Sequence, residues 1–211
     1  AQVVTQHGLV GRGRRPFQQH RGSGAVGRPV PGLAREVPEP VVGGDALEGL
    51  EDRIRYLYER YEGPVSLVGH SLGGIFAREL AREFPEQVRQ VISLGSPFGQ
   101  GRMSASIPAR LFTALNPPEE LPIEQDILHY APPVPTTAIY SRGDGIVNWR
   151  TAVQEQGHAE SQSIQVRGSH CGMTFNPTIW FLVAERLSLP DGEWRPFERR
   201  SWRNLFFPRT H

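Results

Sequence analysis

A short unit between residues 65 and 94 places the strongest constraint on the fold of this chain. Residues 65–68 (Val-Ser-Leu-Val) form an apolar run with the β-branched enrichment of a buried strand. Apolar side chains then recur at helical spacing until Pro85, and residues 91–94 have the pattern of a second strand. We therefore predict an α/β fold, with a mostly parallel sheet flanked by helices.

The turn between the first strand and the helix reads Gly69-His70-Ser71-Leu72-Gly73, a Gly-x-Ser-x-Gly pattern. Glycines at its two ends leave room for a tight, strained bend that exposes the serine. The N–H of Leu72 lies at the start of the helix, where it can stabilise an oxyanion. The pattern predicts Ser71 as a nucleophile, and the alternative is an ordinary glycine-rich turn.

A serine nucleophile needs a base and an acid, and two later turns supply candidates. Asp144 follows a predicted strand at residues 136–140, and His170 follows another at residues 163–166. Because the carboxyl ends of parallel strands meet at one edge of a sheet, both can reach Ser71. Asp144 also suits the chemistry of a simple turn.

Three other histidines compete with His170 for the role of base. His70 is adjacent to Ser71 in the turn and cannot easily direct its ring at that hydroxyl, so we expect it to shape the substrate pocket. His129 and His158 have no predicted strand before them. The geometric roles of a general base therefore favour His170.

Residues 69–73, 141–147 and 168–172 together resemble the α/β-hydrolase superfamily, and most of all its small bacterial lipase-like and esterase-like members. The resemblance extends from about residue 46 to residue 197. It implies hydrolysis of a small-molecule or lipid ester through an acyl-serine, without a cofactor. In that scheme Ser71 attacks, His170 moves the proton and Asp144 orients the imidazole. The alternatives are an acyltransferase or cofactor-free perhydrolase with the same triad, or a non-catalytic binding module.

Enzymes of this kind need a second oxyanion donor from a loop after an early strand. Residues 3–6 followed by His7-Gly8-Leu9 fit that description, so the N–H of Leu9, or of Val10 after it, is the candidate donor. The alternative is a frayed N-terminus. Residues 12–39 are rich in Gly, Pro and Arg, and we expect residues 1–44 to be an irregular part of a single domain.

Residues 96–135 resemble the cap insertion of such hydrolases, and their apolar side chains either line an acyl pocket or cover the sheet. The candidate pocket residues, together with His70, are Met103, Ile107, Leu111, Phe112 and Leu115.

Helical periodicity predicts an amphipathic helix at residues 45–61. Its polar face carries Glu51, Asp52, Arg55 and Glu59, and its apolar face is formed by Leu47, Leu50, Ile54, Leu57, Tyr58 and Tyr61. Residues 190–211 contain several aromatic side chains beside arginines, and we expect this tail to wrap back onto the domain. The alternative is that these aromatic side chains lie at a lipid interface.

Composition narrows the possible partners. The 211 residues carry a formal charge of +1, and the Arg-rich stretch at residues 12–39 lacks the interleaved aromatic residues of a nucleic-acid site. The single cysteine, Cys171, has no second Cys or paired His at metal-ligand spacing, so we expect no metal and regard it as a small filler near the site.

No apolar run is long enough to span a membrane. Because the chain starts at Ala1 and not at Met, cytoplasmic and secreted locations both stay open. The sequence also leaves the oligomeric state open.

Overall fold

The computed structural model describes residues 46–99, 129–154, 157–200 and 203–208. Its helices and strands, in chain order, are α1 (Ala46–Tyr61), β1 (Val65–His70), α2 (Leu72–Glu83), β2 (Val88–Leu94), β3 (Thr136–Ser141), β4 (Ser161–Val166), α3 (Pro177–Leu187) and α4 (Arg203–Phe206). Short 3-10 helices at Trp149–Ala152 and Cys171–Phe175 follow β3 and β4.

The strands form one four-stranded sheet in the order β1-β2-β3-β4, and every neighbouring pair is parallel. The predicted fold class is therefore confirmed. Each strand is one to three residues longer than the apolar run that predicted it, because the strand ends include His70, Ser141 and other polar residues. Since all strands run the same way, the four loops after them lie along one edge of the sheet.

Strands β2 and β3 are buried along almost their whole length, and apolar side chains cover both faces of the sheet. On one face, α1 and α2 pack through a cluster that includes Ile54, Leu67, Leu80 and Val91. On the other face, α3 and the C-terminal stretch pack against Ile92, Leu94, Ile139, Ile164 and Val166.

The face that α1 turns toward the sheet is the predicted one at the buried Ile54 and at the half-buried Leu50 and Tyr58, but two positions differ. Glu51 is buried, whereas Tyr61 is 53% exposed. The buried face is centred on Ile54, and Glu51 lies one turn before it on the same side of the helix. Tyr61 is the last residue of α1 and has no core beneath it.

The C-terminal stretch contributes two aromatic rings to the core. Phe197 and Phe207 are buried and meet edge to face with their ring centroids 4.7 Å apart. Phe206 beside them is exposed. Arg186 of α3 is fully buried and donates to the carbonyl oxygen of Arg195 at 2.7 Å, which fastens this stretch to the helix.

Residues 1–44, which are expected to be irregular, lie outside the described residues, as do residues 100–128 of the expected cap. Within the described ranges, no helix combines the length and the apolar composition needed to cross a membrane.

Candidate active site

The turn after β1 holds Ser71 in a conformation that side-chain-bearing residues rarely adopt. Its φ and ψ are 55° and −124°, although it is not a glycine. Such a backbone costs on the order of 1–3 kcal/mol and persists only where the surroundings enforce it. The N–H of Ser71 donates to the carbonyl oxygen of Leu94 at 2.9 Å, and Ser71 O accepts from Gly74 N at 3.1 Å. The bend is therefore held by β2 on one side and by α2 on the other.

Two glycines make this bend sterically possible. A Cβ on Gly69 would lie 2.2 Å from the carbonyl oxygen of Gly73, which is backbone and cannot give way. A Cβ on Gly74 would lie 2.0 Å from Ser96 Oγ, so α2 can approach the end of β2 only without a side chain there. Leu72 is the first residue of α2, and its N–H consequently has no partner inside the helix.

Asp144 and His170 lie in the loops after β3 and β4 and contact each other directly. His170 Nδ1 donates to Asp144 Oδ2 at 2.7 Å, and both side chains are buried. The other carboxylate oxygen, Oδ1, accepts from the N–H groups of Ile146 at 2.9 Å and Val147 at 2.8 Å. With its Nδ1 proton engaged, the imidazole of His170 presents Nε2 as the free acceptor.

The charge of Asp144 is stabilised despite its burial. Burial on its own raises the pKa of this carboxyl, but hydrogen bonds from His170, Val147 and Ile146 outweigh that effect. The pKa of Asp144 therefore lies below its ordinary value. An ionised Asp144 can orient the imidazole and stabilise its protonated form.

The loops that carry Asp144 and His170 are also joined to each other. Ser141 Oγ donates to the carbonyl oxygen of Gly168 at 2.6 Å and accepts from the N–H of Gly143 at 3.1 Å. This side chain ends β3, so it fixes the spacing between the acid loop and the histidine loop.

Gly95, which follows β2, contacts the Asp144–His170 pair and was not singled out from the sequence. Its φ is +54°, and a Cβ there would lie 3.0 Å from Asp144 Oδ2, 3.3 Å from His170 Nδ1 and 3.1 Å from Met173 Sδ. Met173 is fully buried beside it. The sequence shows a glycine directly after an apolar strand, but it does not show why that position must be a glycine. The reason is the contact with Asp144 and His170, which forms only in the folded chain.

His70 lies beside His170 and bonds to its backbone. Its Nε2 donates to the carbonyl oxygen of His170 at 3.2 Å, and the two ring centroids are 4.6 Å apart. Burial lowers the pKa of His70, as does any positive charge on His170, so the neutral imidazole is favoured. The contact links Ser71's immediate neighbour to the histidine loop.

Other residues considered from the sequence lie elsewhere. His158 is bonded through Nε2 to the carbonyl oxygen of Pro132 at 2.9 Å and through Nδ1 to the N–H of Glu160 at 3.2 Å, so it anchors a loop. Cys171 is exposed, and the expectation that it fills space is wrong because it begins a surface 3-10 helix. The remaining candidates lie outside the described residues: Leu9, Met103, Ile107, Leu111, Phe112 and Leu115.

Within the described part of the chain, no group of three or more His, Cys, Asp or Glu side chains is arranged to hold a metal ion.

The parallel sheet superposes on solved hydrolase and lipase structures, so the chain has the α/β-hydrolase fold that the resemblance of its motifs implies. Residues 44–118 match the sequence profile of the PGAP1-like alpha/beta domain. No curated protein sequence matches the chain significantly.

Solved structures agree on this fold. Lipase B from Aspergillus fumigatus superposes with a TM-score of 0.57 at 21% identity, over 77% of this chain but only 45% of the lipase. The meta-cleavage product hydrolase CumD from Pseudomonas fluorescens gives 0.52 at 17% identity, over 71% of this chain and 74% of the hydrolase. A structure from a study of the metagenome-derived lipolytic enzymes LipS and LipT gives 0.53 at 17% identity, over 70% of this chain and 73% of that one.

Proposed function

We propose that this chain is a serine hydrolase that cleaves carboxylic esters through an acyl-serine intermediate. One observation carries the proposal: consecutive strand ends of one sheet supply the strained Ser71, the hydrogen-bonded Asp144–His170 pair and the glycine on which that pair rests. Strain held at a solvent-accessible serine has no evident structural purpose, and it is the expected property of a nucleophile elbow.

The reaction would follow from these groups in two halves. His170 Nε2 takes the proton of Ser71 Oγ while this oxygen attacks the ester carbonyl carbon, and the carbonyl electron pair moves to oxygen. The N–H of Leu72 donates to that oxyanion. When the electron pair of the oxyanion returns to re-form the carbonyl, the bond to the alcohol breaks and His170 gives the alcohol its proton. Water then attacks the acyl-serine by the same route and releases the acid.

Ser71 and His170 share neighbours, which supports their working together. Ser71 N–H donates to the carbonyl oxygen of Leu94, and the next residue, Gly95, lies against the His170 ring. His70 also contacts His170 directly. An ester is favoured as the substrate because two of the structurally similar proteins are described as a lipase and as lipolytic enzymes.

The deciding experiment compares Ser71→Ala with the wild type in the hydrolysis of p-nitrophenyl butyrate. Loss of the nucleophile should lower kcat/KM by about 10³-fold or more, with the circular dichroism spectrum unchanged. Ser188→Ala is the matched control, because this exposed serine at the end of α3 lies on the surface and its hydroxyl donates to the carbonyl oxygen of Glu185 at 2.8 Å. Equal turnover by the wild type and Ser71→Ala would refute the proposal.

Labelling with a fluorophosphonate distinguishes an active site from a binding module. An activated serine forms a stoichiometric covalent adduct, whereas the serine of an inactive fold stays unlabelled. Mass spectrometry should locate the adduct on Ser71, and Ser71→Ala should remain unmodified.

Acyl transfer would use the same residues as hydrolysis. A competing alcohol in the ester assay separates hydrolysis from transfer, because a new ester product indicates a transferase.

A further inference from the structure

A cationic groove lies at the outer edge of the sheet beside β4, and the mechanism above does not use it. Its volume is about 540 Å³, within the ordinary range of small-ligand sites. Two of its arginines extend from strand ends, since Arg142 follows β3 and Arg167 follows β4. The complete lining is Arg142, Gln165, Arg167, Arg199, Asn204, Phe207 and Pro208.

The charges of Arg142, Arg167 and Arg199 are not balanced locally. None of the three has an ion-pair partner among the described residues. By contrast, two arginines on the same C-terminal stretch are paired: Arg200 with Glu198 at 2.9 Å and Arg203 with Glu185 at 3.7 Å. Guanidinium groups gathered without a carboxylate repel one another, and an anion bound between them removes that cost.

Two of the three guanidinium groups are already held in position. Arg142 lies over the ring of Trp149, with its Cζ 4.7 Å from the ring centroid. Arg199 donates through Nη1 to the carbonyl oxygens of Phe207 and Pro208. Groups that are held in place lose less entropy when they bind a ligand than free surface side chains do.

Gln165 of β4 lines the groove without adding a charge to it. The residue is only 8% exposed, and its Oε1 is buried without a hydrogen-bond partner among the described residues. A ligand in the groove therefore contacts the guanidinium groups and not this oxygen.

We propose that this groove binds the phosphate group of a phosphomonoester. Three guanidinium forks match the several oxygens and double charge of a phosphate, whereas a carboxylate fills only one fork. The volume exceeds what inorganic phosphate needs and leaves room for the small organic group of a phosphomonoester. Pro208 is half-buried and adds an apolar surface beside it.

The groove is separate from Ser71, because no residue of the serine turn lines it. It nevertheless adjoins the loops of Asp144 and His170, which Ser141 joins through the carbonyl oxygen of Gly168. A phosphate held by Arg142 and Arg167 would bridge the same two loops. Binding can be measured on the Ser71→Ala variant, so the failure of either proposal leaves the other testable.

Isothermal titration of the full chain with inorganic phosphate and with glycerol 3-phosphate tests the site. We expect one saturable site that prefers glycerol 3-phosphate, with about 10-fold or greater weakening in Arg167→Gln and in Arg199→Gln. The control Arg60→Gln removes the same charge from α1, far along the chain from the groove, and should bind like the wild type. Without ligand, Arg167→Gln should melt no lower than the wild type, because it relieves repulsion.

Vesicles distinguish a soluble ligand from a lipid headgroup. Arg167-dependent binding to phosphatidic acid vesicles, but not to phosphatidylcholine vesicles, would identify a lipid-borne phosphate; binding of glycerol 3-phosphate alone would identify a soluble ester. Either result supports the site. The proposal is overturned if no phosphate ligand saturates below about 10 mM, or if Arg60→Gln weakens binding as much as Arg167→Gln does.

Discussion

Replacing Gly95 by alanine tests whether the Asp144–His170 pair depends on a missing side chain. The added methyl group would lie 3.0 Å from Asp144 Oδ2 and 3.3 Å from His170 Nδ1. Non-bonded atoms pack at roughly 3.5–4.0 Å, so the pair must move by several tenths of an ångström. The two groups cannot close up, because their hydrogen bond is already 2.7 Å long. The displacement must therefore change where His170 Nε2 points.

The structure allows the loss of folding free energy and the loss of kcat in Gly95→Ala to be estimated. A positive φ of 54° at an alanine costs about 1–2 kcal/mol of folding free energy. A misplacement of about 1 Å in a catalytic group can lower the rate about 10²-fold, and several tenths of an ångström should lower kcat about 10-fold. We expect Gly95→Ala to show both losses.

Gly192→Ala is the matched control. Gly192 has a φ of +73°, and no atom lies within 4 Å of the position of its Cβ. The control should therefore lose a similar stability, about 1–2 kcal/mol in urea unfolding, and keep its kcat. Ester hydrolysis under saturating substrate measures the difference between the two variants.

A Gly95→Ala variant that keeps the wild-type kcat would refute the dependence of the Asp144–His170 pair on the missing side chain. It would also be refuted if Gly192→Ala lost as much kcat as Gly95→Ala, since strain alone would then explain the effect. A crystal structure of Gly95→Ala should show the His170 ring displaced.

Two further substitutions test the stability of the site. Because the pKa of His70 is lowered, the unfolded chain binds its proton more readily, and wild-type stability should fall as the pH drops below about 6.5. His70→Asn should show a shallower fall in urea midpoints over that window, and an equal slope would contradict this. Arg78 is fully buried, donates to the carbonyl oxygen of Tyr130 at 2.7 Å and lies 3.7 Å over the Phe98 ring. Arg78→Met should cost about 2–4 kcal/mol, and a more stable variant would show that burying the charge costs more than its contacts return.

Local sequence pattern was sufficient for the sheet and for the order of the candidate residues. Short runs of apolar and β-branched residues, followed by turn residues, predict all four strands of the parallel sheet. The parallel arrangement then brings the loops of Asp144 and His170 to one edge, where the hydrogen bond between them forms. The catalytic roles of Ser71, Asp144 and His170 remain predictions until the variants are assayed.

Burial on α1 shows what the pattern leaves undecided. Periodicity predicts the buried Ile54, but residue type places Glu51 in solvent, whereas a helix buries the whole face that its neighbours cover. Periodicity indicates that a helix has an apolar side, but not how far the helix turns when it docks.

By itself, the sequence determined the parallel α/β fold, the strained turn at Ser71 and the pairing of Asp144 with His170, because each depends on local pattern and strand direction. Only the tertiary structure decided that Gly95 must lack a side chain and that Arg142, Arg167 and Arg199 line one groove. These residues are separated by tens of positions, and their contacts arise from how the strand ends and the C-terminal stretch pack together. Close packing between distant segments has no periodicity along the chain, so no local sequence pattern predicts these contacts.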